Sequence, residues 1–569
     1  MFRHNSSPIL VTLAALPMIV IVTLVTILIW LSFQTGILGT SDATYTLSNY
    51  NDVFKDPIFS VAVYNTVIFS VTATIVAMAI GLPIAWVTER TTMANKSWVY
   101  VIMTLGLLIP GIYTAMGWTF LAHERIGFLN RWAVQIFGLS EAPLNIATPV
   151  GMGCVQGMSL AALGFILTAQ MFRSMNPSLE EAANIHGLGF WGTMRRITLP
   201  LAMPAILAAV IYIVVIAVAT FDVPAIIGLG SRIYLLSTYI YLKTNPGDEE
   251  MAQHGITAAL GVMMIIVALL LTLWYSRVLR KGDQYGVVTG KGYRPNLIDI
   301  GGWGKAAWGF IILYMFASKI LPLLLIGYTA FIPYLAPPSA KMFSLMTLEP
   351  ILEEIDWELV LRGMGNTFIL VVTVPAATLV VAFAISWLII RSKSKGRYVL
   401  EFGAFLPHAL PEIILAISAL LLALFYLKGI VPLYGSVTLI AIVYVITRIS
   451  FATRAINSAL LQIHKELEEA AHTAGISPVK TSWNILVPLL RPTLMAVWIW
   501  SAILVYRELT VAVFLVGHDN ITLPAVIWSY WQAGAVNLAA GVTLVMTILL
   551  IPLILLFWWF GRKSVMQSS

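Results

Sequence analysis

Twelve apolar runs, each long enough to cross a bilayer as a helix, leave this chain little choice of fold. A hydrocarbon core takes about 20 apolar residues per helix, and backbone polar groups inside it must be satisfied within the chain. The runs fall at residues 8–33, 61–87, 98–121, 147–172, 202–227 and 255–277, then at 306–331, 363–390, 398–426, 437–455, 493–516 and 538–560. With 59% hydrophobic and 10% charged residues, the expected class is an all-α polytopic membrane protein. The first run exceeds a signal-peptide core and lacks a convincing cleavage site, so it reads as an uncleaved span.

A polar stretch between spans occurs twice. Glu181-Ala182-Ala183-Asn184-Ile185-His186-Gly187 returns as Glu469-Ala470-Ala471-His472-Thr473-Ala474-Gly475, and Pro200 and Pro204 return as Pro488 and Pro492, all at an offset of 288 residues. Each copy reads as a helix-turn-helix knob. In the first, either Asn176 caps with Pro177 in the first turn, or Ser178 caps and Glu181 completes a capping box. Gly187 supplies the left-handed residue that ends the helix. A second short helix follows, at 190–197 or 477–486, and Pro200 or Pro488 is expected to stop it.

Other features repeat as well. Asn65-Thr66 matches Asn366-Thr367, with Trp86 and Trp387 each 21 residues beyond the asparagine, and Pro110 is matched to Pro407. Six spans separate each feature from its partner, so the halves share one orientation and the repeat is not inverted. The expected organisation is a six-span unit at 1–279, a Gly- and Lys-rich linker at 280–305 and a second six-span unit at 306–569. The knobs lie at 174–200 and 457–490. Thr289-Gly290-Lys291-Gly292 in the linker lacks the spacing of a phosphate loop.

Even numbers of spans put both termini, both knobs and the linker on one side, which holds most of the 33 Lys and Arg. The opposite side carries Asp248-Glu249-Glu250 and Glu349, Glu353, Glu354, Asp356 and Glu358. By the positive-inside rule the knobs are cytoplasmic, and the net charge of +7 reflects topology, not nucleic-acid binding. The single cysteine, Cys154, permits no intrachain disulfide. No Walker sequence, Ser-His-Asp arrangement, catalytic carboxylate pair or metal-ligand cluster is present, so the chain reads as no enzyme, with no metal site or cofactor of its own.

Ionisable residues inside spans are costly and mark cavities or partners. Arg507 and Glu508 fall in the eleventh run, their repeat equivalents beside Asp222 in the fifth, and His408 and Glu412 flank Pro411 in the ninth. These five are candidates for a substrate path. The alternative is that they pair within the bundle, His408 with Glu412.

The doubled E-A-A-x(3)-G pattern resembles the cytoplasmic loop of ABC importer permeases. Residues 221–228 (FDVPAIIG), 507–510 (RELT), 285–295 (YGVVTGKGYRP) and 460–471 (LLQIHKELEEAA) look like the ferric iron permease family, related to thiamine, 2-aminoethylphosphonate and polyamine permeases. Where many relatives carry Pro-Gly, this chain has Pro411-Glu412. The resemblance implies that Glu181, Ala182, Ala183, Gly187, Glu469, Ala470, Ala471 and Gly475 couple to two copies of an ABC ATPase subunit, which binds ATP and Mg. It also implies a periplasmic substrate-binding protein, a multi-pass location in the bacterial inner membrane, and ferric iron import by alternating access. An ion-coupled secondary carrier with purely structural loops is the alternative class.

Overall fold

A computed structural model describes residues 8–36, 43–176, 178–245, 253–282, 297–392 and 396–566. Pro177, the acidic residues at 248–250, linker residues 283–296 and Lys393 and Lys395 lie outside them. The chain is 80% helical. The strands among the described residues are Gln34–Thr35 and Thr44–Tyr45, which pair antiparallel. Among the described residues ten helices are long and apolar enough to cross a membrane, or up to thirteen spans if each of three bent helix pairs counts as one. The twelve expected runs fall within that range.

Two of the three bends follow proline chemistry. Lys96–Leu108 meets Gly111–Ala122 at 86°, and Gly396–Ala409 meets Glu412–Leu427 at 101°. Pro110 and Pro411 sit at these breaks with nearly the same backbone, φ −55° and ψ 143° against φ −56° and ψ 137°. A proline forces its predecessor out of helical geometry and offers no N–H, so a half-helix restarts cleanly behind it. The partner of Pro110 is therefore Pro411, at the offset of 301 residues shared by the Asn-Thr pairs and Trp86/Trp387, and not Pro407, which lies inside its helix. Glu412 consequently takes the place of Gly111.

Pro200 and Pro488 do not stop the second helices of the knobs. Each follows a π-turn, Met194–Thr198 or Ser482–Leu486, whose wider loop accommodates the ring, and the helix continues into the membrane as Leu199–Ala219 or Val487–Tyr506. Those spans end earlier than the apolar runs: Thr220 closes the first and Arg507 the second. Behind each break lies a short helix too brief for span-length reading, Leu236–Thr244 or Leu523–Gln532.

Two compact units form, and neither is a contiguous half of the sequence. The knob-1 unit comprises Asp56–Tyr239 and Val267–Leu348; the knob-2 unit comprises Met1–Lys55, Ile240–Ile266 and Glu349–Ser569. Each takes its leading helix from the other half of the chain. In the knob-2 unit Leu10 and Ala14 share a core with Ala382, Leu388, Ile449 and Leu490. In the knob-1 unit Ile311 and Tyr314 share one with Val99, Met103, Phe165 and Ala202.

The knob-1 unit is built on the contact between Pro57–Arg90 and Pro149–Ser174. Lipid gives apolar side chains little reason to associate, so close backbone approach carries the packing, and small residues permit it. A Cβ at Gly157 would lie 2.6 Å from Ala73 O, and one at Gly81 2.5 Å from Ala161 O.

The Asn-Thr pairs have a structural explanation. Asn65 donates to Tyr234 O at 3.0 Å and Thr66 Oγ1 accepts from Leu236 N at 2.8 Å. Asn366 donates to Asp519 O and Ile521 O, both at 2.9 Å, and Thr367 Oγ1 accepts from Leu523 N at 2.9 Å. Each pair thus clamps its long helix to the start of the short helix and satisfies backbone groups left by the break.

Replacing Gly157 by Leu should separate the two long helices, because the Ala73 carbonyl and the stiff, β-branched Val76 oppose the new atoms. A cost of about 1–3 kcal/mol is expected, read as a lower midpoint of thermal unfolding in detergent, whereas Gly309→Leu, with open space around it, should leave the midpoint near wild type.

Candidate functional site

Two kinds of site emerge, the paired knobs and a buried charge cluster. In the first knob Asn176 Oδ1 accepts from Ser178 N at 3.0 Å, which makes Asn176 the cap of the Ser178–Ile185 helix. The helix ends at Gly187, φ +80°, with Leu188 N bonded to Ala183 O and Gly187 N to Asn184 O, each at 3.0 Å. This is a Schellman stop. The second knob repeats it: Gly475 has φ +75°, and Ile476 N bonds to Ala471 O at 3.0 Å.

The repeated residues divide by role. Ala183 and Ala471 are 4% and 5% exposed, packed beneath the turn. Glu181, Ala182, Glu469 and Ala470 face outward, beside Ile185 and Trp191 on the first knob and Trp483 by the second. The E-A-A-x(3)-G spacing therefore places a small packed residue at the third position, an outward acidic residue at the first and a left-handed glycine at the end.

Each knob is also held by an arginine that sequence reading passed over. Arg90, the last residue of its long helix, pairs with Glu180 and donates to Met175 O at 3.2 Å, while Thr198 Oγ1 donates to Glu180 Oε1 at 2.6 Å. Arg391, the last residue of Trp357–Arg391, meets Glu468 at 2.6 Å and donates to Leu460 O at 3.2 Å and Ile463 O at 2.9 Å. The anchored carboxylates stand one residue before the repeated Glu181 and Glu469. Near the first knob, the end of the linker is pinned: Ile298 N donates to Arg90 O, and Thr92 N to Ile298 O, each at 2.9 Å. Asp299 there accepts from Gly301 N and from Thr92, which holds its carboxyl below the usual carboxylate range.

The buried cluster lies in the knob-2 unit. Arg448 on Val437–Leu461 donates from Nη1 to Glu412 Oε1 at 2.6 Å and from Nη2 to Glu508 Oε2 at 3.0 Å. Glu508 Oε1 accepts from Thr510 N at 3.1 Å, capping the helix behind the break, and Tyr444 donates to Glu508 O at 3.3 Å. Glu412 and Glu508 are thus brought together through Arg448, and Glu412 takes Arg448 in place of His408. His408 packs against Phe405, ring centroids 5.9 Å apart. Arg507 stands at the break beside Glu508, and not inside a continuous span.

Asp222 belongs to the knob-1 unit, where it crowds Gly111: a Cβ there would lie 3.1 Å from its Oδ2. A buried lysine, Lys319, donates in the same unit to Thr114 at 3.3 Å and Ser159 at 3.4 Å. Arg448 and Lys319 were within reach of the rule that flagged the other intramembrane charges, since both fall inside apolar runs. Among the described residues no group of three or more His, Cys, Asp or Glu side chains is placed to hold a metal ion.

The repeat supplies an internal control for the cluster. The positions equivalent to Glu412, Arg448 and Glu508 are Gly111, Leu160 and Thr220. Gln156 bonds Thr220 at 3.2 Å where Tyr444 bonds Glu508, so the same architecture stands without these charges.

These knobs on an all-helical membrane scaffold define a transporter's membrane subunit. The chain belongs to the family of binding-protein-dependent transport system inner membrane components, whose profile matches residues 2–282 and again 376–563. It is the permease subunit of an ABC importer, multi-pass in the bacterial inner membrane; it is not an enzyme, and in this family the ATPase is a separate subunit, as is the periplasmic binding protein. It is 23% identical over 509 residues to the ferric transport system permease protein FbpB of Actinobacillus pleuropneumoniae, covering 88% of this chain and 70% of the relative. It is 22% identical over 468 residues to the Fe(3+)-transport system permease protein FbpB 2 of Haemophilus influenzae, covering 82% and 83%. A solved bacterial ABC transporter involved in import of the acidic polysaccharide alginate matches 42% of this chain and 84% of its own, at 21% identity and a TM-score of 0.33.

Replacing Arg448 by Leu should cost about 3 kcal/mol, because the buried Glu508 and the partly buried Glu412 lose their cation. The Arg448→Leu/Glu412→Gln/Glu508→Gln triple variant should recover much of that loss. Thermal unfolding of the purified protein reads both.

Proposed function

We propose that this chain carries ferric iron from periplasm to cytoplasm by ATP-driven alternating access, with both termini and both knobs on the cytoplasmic side. The observation that carries the coupling part is the pair of repeat-related knobs, each with a Schellman stop at glycine and an outward acidic and apolar face. Two such faces suit two copies of an ATPase subunit, one at each knob. Drawn together on ATP binding, the knobs would move the helices that continue from them into the membrane.

The ferric part is supported by similarity to ferric permeases across most of the chain. Ferric iron is a hard cation that favours oxygen ligands. Glu412, Glu508 and Asp222 are the carboxylates proposed for its path, with His408 and Arg507 beside it. Arg448 already engages two of these carboxylates, so cargo would meet a partly neutralised station, which suits passage better than retention.

Changing Gly187 and Gly475 together to Val should abolish ATP-dependent uptake, by at least about ten-fold, while membrane insertion persists, since a β-branched residue resists positive φ. The assay is uptake of labelled ferric iron by iron-starved cells with and without ATP depletion. Unimpaired uptake in the double variant would remove the coupling role. Uptake that ignores ATP but collapses with the proton gradient would point to an ion-coupled carrier. If deleting the chain leaves iron entry unchanged, the cargo assignment fails and phosphonates, thiamine and polyamines are tested next.

A further inference from the structure

We propose that Arg90 and Arg391 are positioning residues of energy coupling, each the joint between a knob and a long helix that acts as a transmission rod. The proposal rests on the coupling role of the knobs and names the parts that carry their motion inward.

Each guanidinium sits where three elements meet. It ends the long helix, closes carbonyls at the end of the helix entering the knob, and grips a carboxylate in the first turn of the knob helix. Helix ends need such partners for their last carbonyls. A guanidinium can serve carbonyls and a carboxylate at once because its donors form a rigid planar fork, which an ammonium lacks. Arg90 is 1% exposed and Glu180 8%, so the ion pair is shielded from the water that would soften it.

The joint is rebuilt, not merely copied. Arg90 and Glu180 stand 90 residues apart, whereas Arg391 and Glu468 are closer in sequence because the arginines repeat at 301 and the glutamates at 288. A difference of 13 residues in the intervening chain has left the contact in place in both units. The second copy lacks one tie: Thr198, which bonds Glu180, is replaced at the equivalent position by Leu486.

The other end of each rod is fastened too. Pro57–Arg90 and Trp357–Arg391, 34 and 35 residues long, would each reach about 50 Å at 1.5 Å per residue. Toward their N-terminal ends, Asn65-Thr66 and Asn366-Thr367 clamp the starts of Leu236–Thr244 and Leu523–Gln532. Those short helices lie behind the breaks that hold Asp222 and Glu508. Knob, arginine joint, long helix and Asn-Thr clamp therefore form a continuous fastened line to the start of each short helix, and the arginine is the ionic link at its knob end.

The test uses the full complex of this chain with its ATPase and binding protein in proteoliposomes. ATP hydrolysis and uptake of labelled ferric iron are measured together for wild type, Arg90→Gln/Arg391→Gln, the corresponding Lys double variant, and Gly187→Val/Gly475→Val. Hydrogen exchange of the knobs and short helices, with and without ATP, gives a readout independent of cargo. The Gln variant is expected to retain the ATPase subunit and hydrolyse ATP, with uptake per ATP down at least ten-fold and the Lys variant in between. Its knobs should respond to ATP while helices 236–244 and 523–532 no longer do.

An unchanged ratio and an unchanged short-helix response in the Gln variant, with the Gly variant still uncoupled, would overturn the joint and leave the knobs' role standing. If the Gln and Lys variants alike shed the ATPase subunit, the arginines merely hold the fold and the proposal fails. If the Gly variant too couples normally, the knob assignment falls first. Absence of iron uptake in wild type overturns only the cargo, and the exchange response still decides the joint.

Discussion

Inside hydrocarbon a backbone N–H or C=O has no water to turn to, and the helix breaks after Ala219 and Tyr506 each carry replacement partners. Where the helices ending at Ala219 and Tyr506 stop, Asn-Thr pairs from the long helices receive the chain that follows. Where Pro200 and Pro488 interrupt the ladder, a π-turn widens and the helix proceeds. At the break after Arg507, Glu508 turns one oxygen to the next helix and the other to Arg448. The breaks are therefore fastened points, and they occur at matching places in both repeats.

The unequal distribution of charge between the repeats separates what the architecture needs from what is added to it. One repeat places Glu412, Arg448 and Glu508 where the other places Gly111, Leu160 and Thr220. Burying two carboxylates and a guanidinium is rarely the cheapest way to stabilise a core. The other repeat builds the corresponding helices and breaks with uncharged residues at these three positions. The knob-1 unit has its own polar features, Asp222 against Gly111 and Lys319 among hydroxyls, in a different arrangement.

Much of the knob was legible before any coordinates. Glycine at a helix end, an acidic residue near its start and a common offset of 288 led to a helix, a left-handed stop and a second helix, and φ of +80° and +75° at Gly187 and Gly475 followed. The anchors were not legible, because Arg90 and Arg391 lie far from Glu180 and Glu468 in sequence and repeat at another offset. Pairing Pro110 with Pro407 went astray for a related reason. Matching the two by sequence compares side chains, whereas the break falls at the proline whose own backbone is extended, and that is Pro411.

The sequence by itself determined the all-helical membrane class and the local form of the paired knobs. These follow from span-length apolar runs and local turn chemistry, which act over a few neighbouring residues. Tertiary structure alone decided that each compact unit takes its leading helix from the other half of the chain, that Arg448 joins Glu412 to Glu508, and that one arginine anchors each knob. Apolar periodicity says that a face must be covered but not by which helix. A buried charge demands a counter-charge without naming it, and only the packing of distant segments supplies the partner.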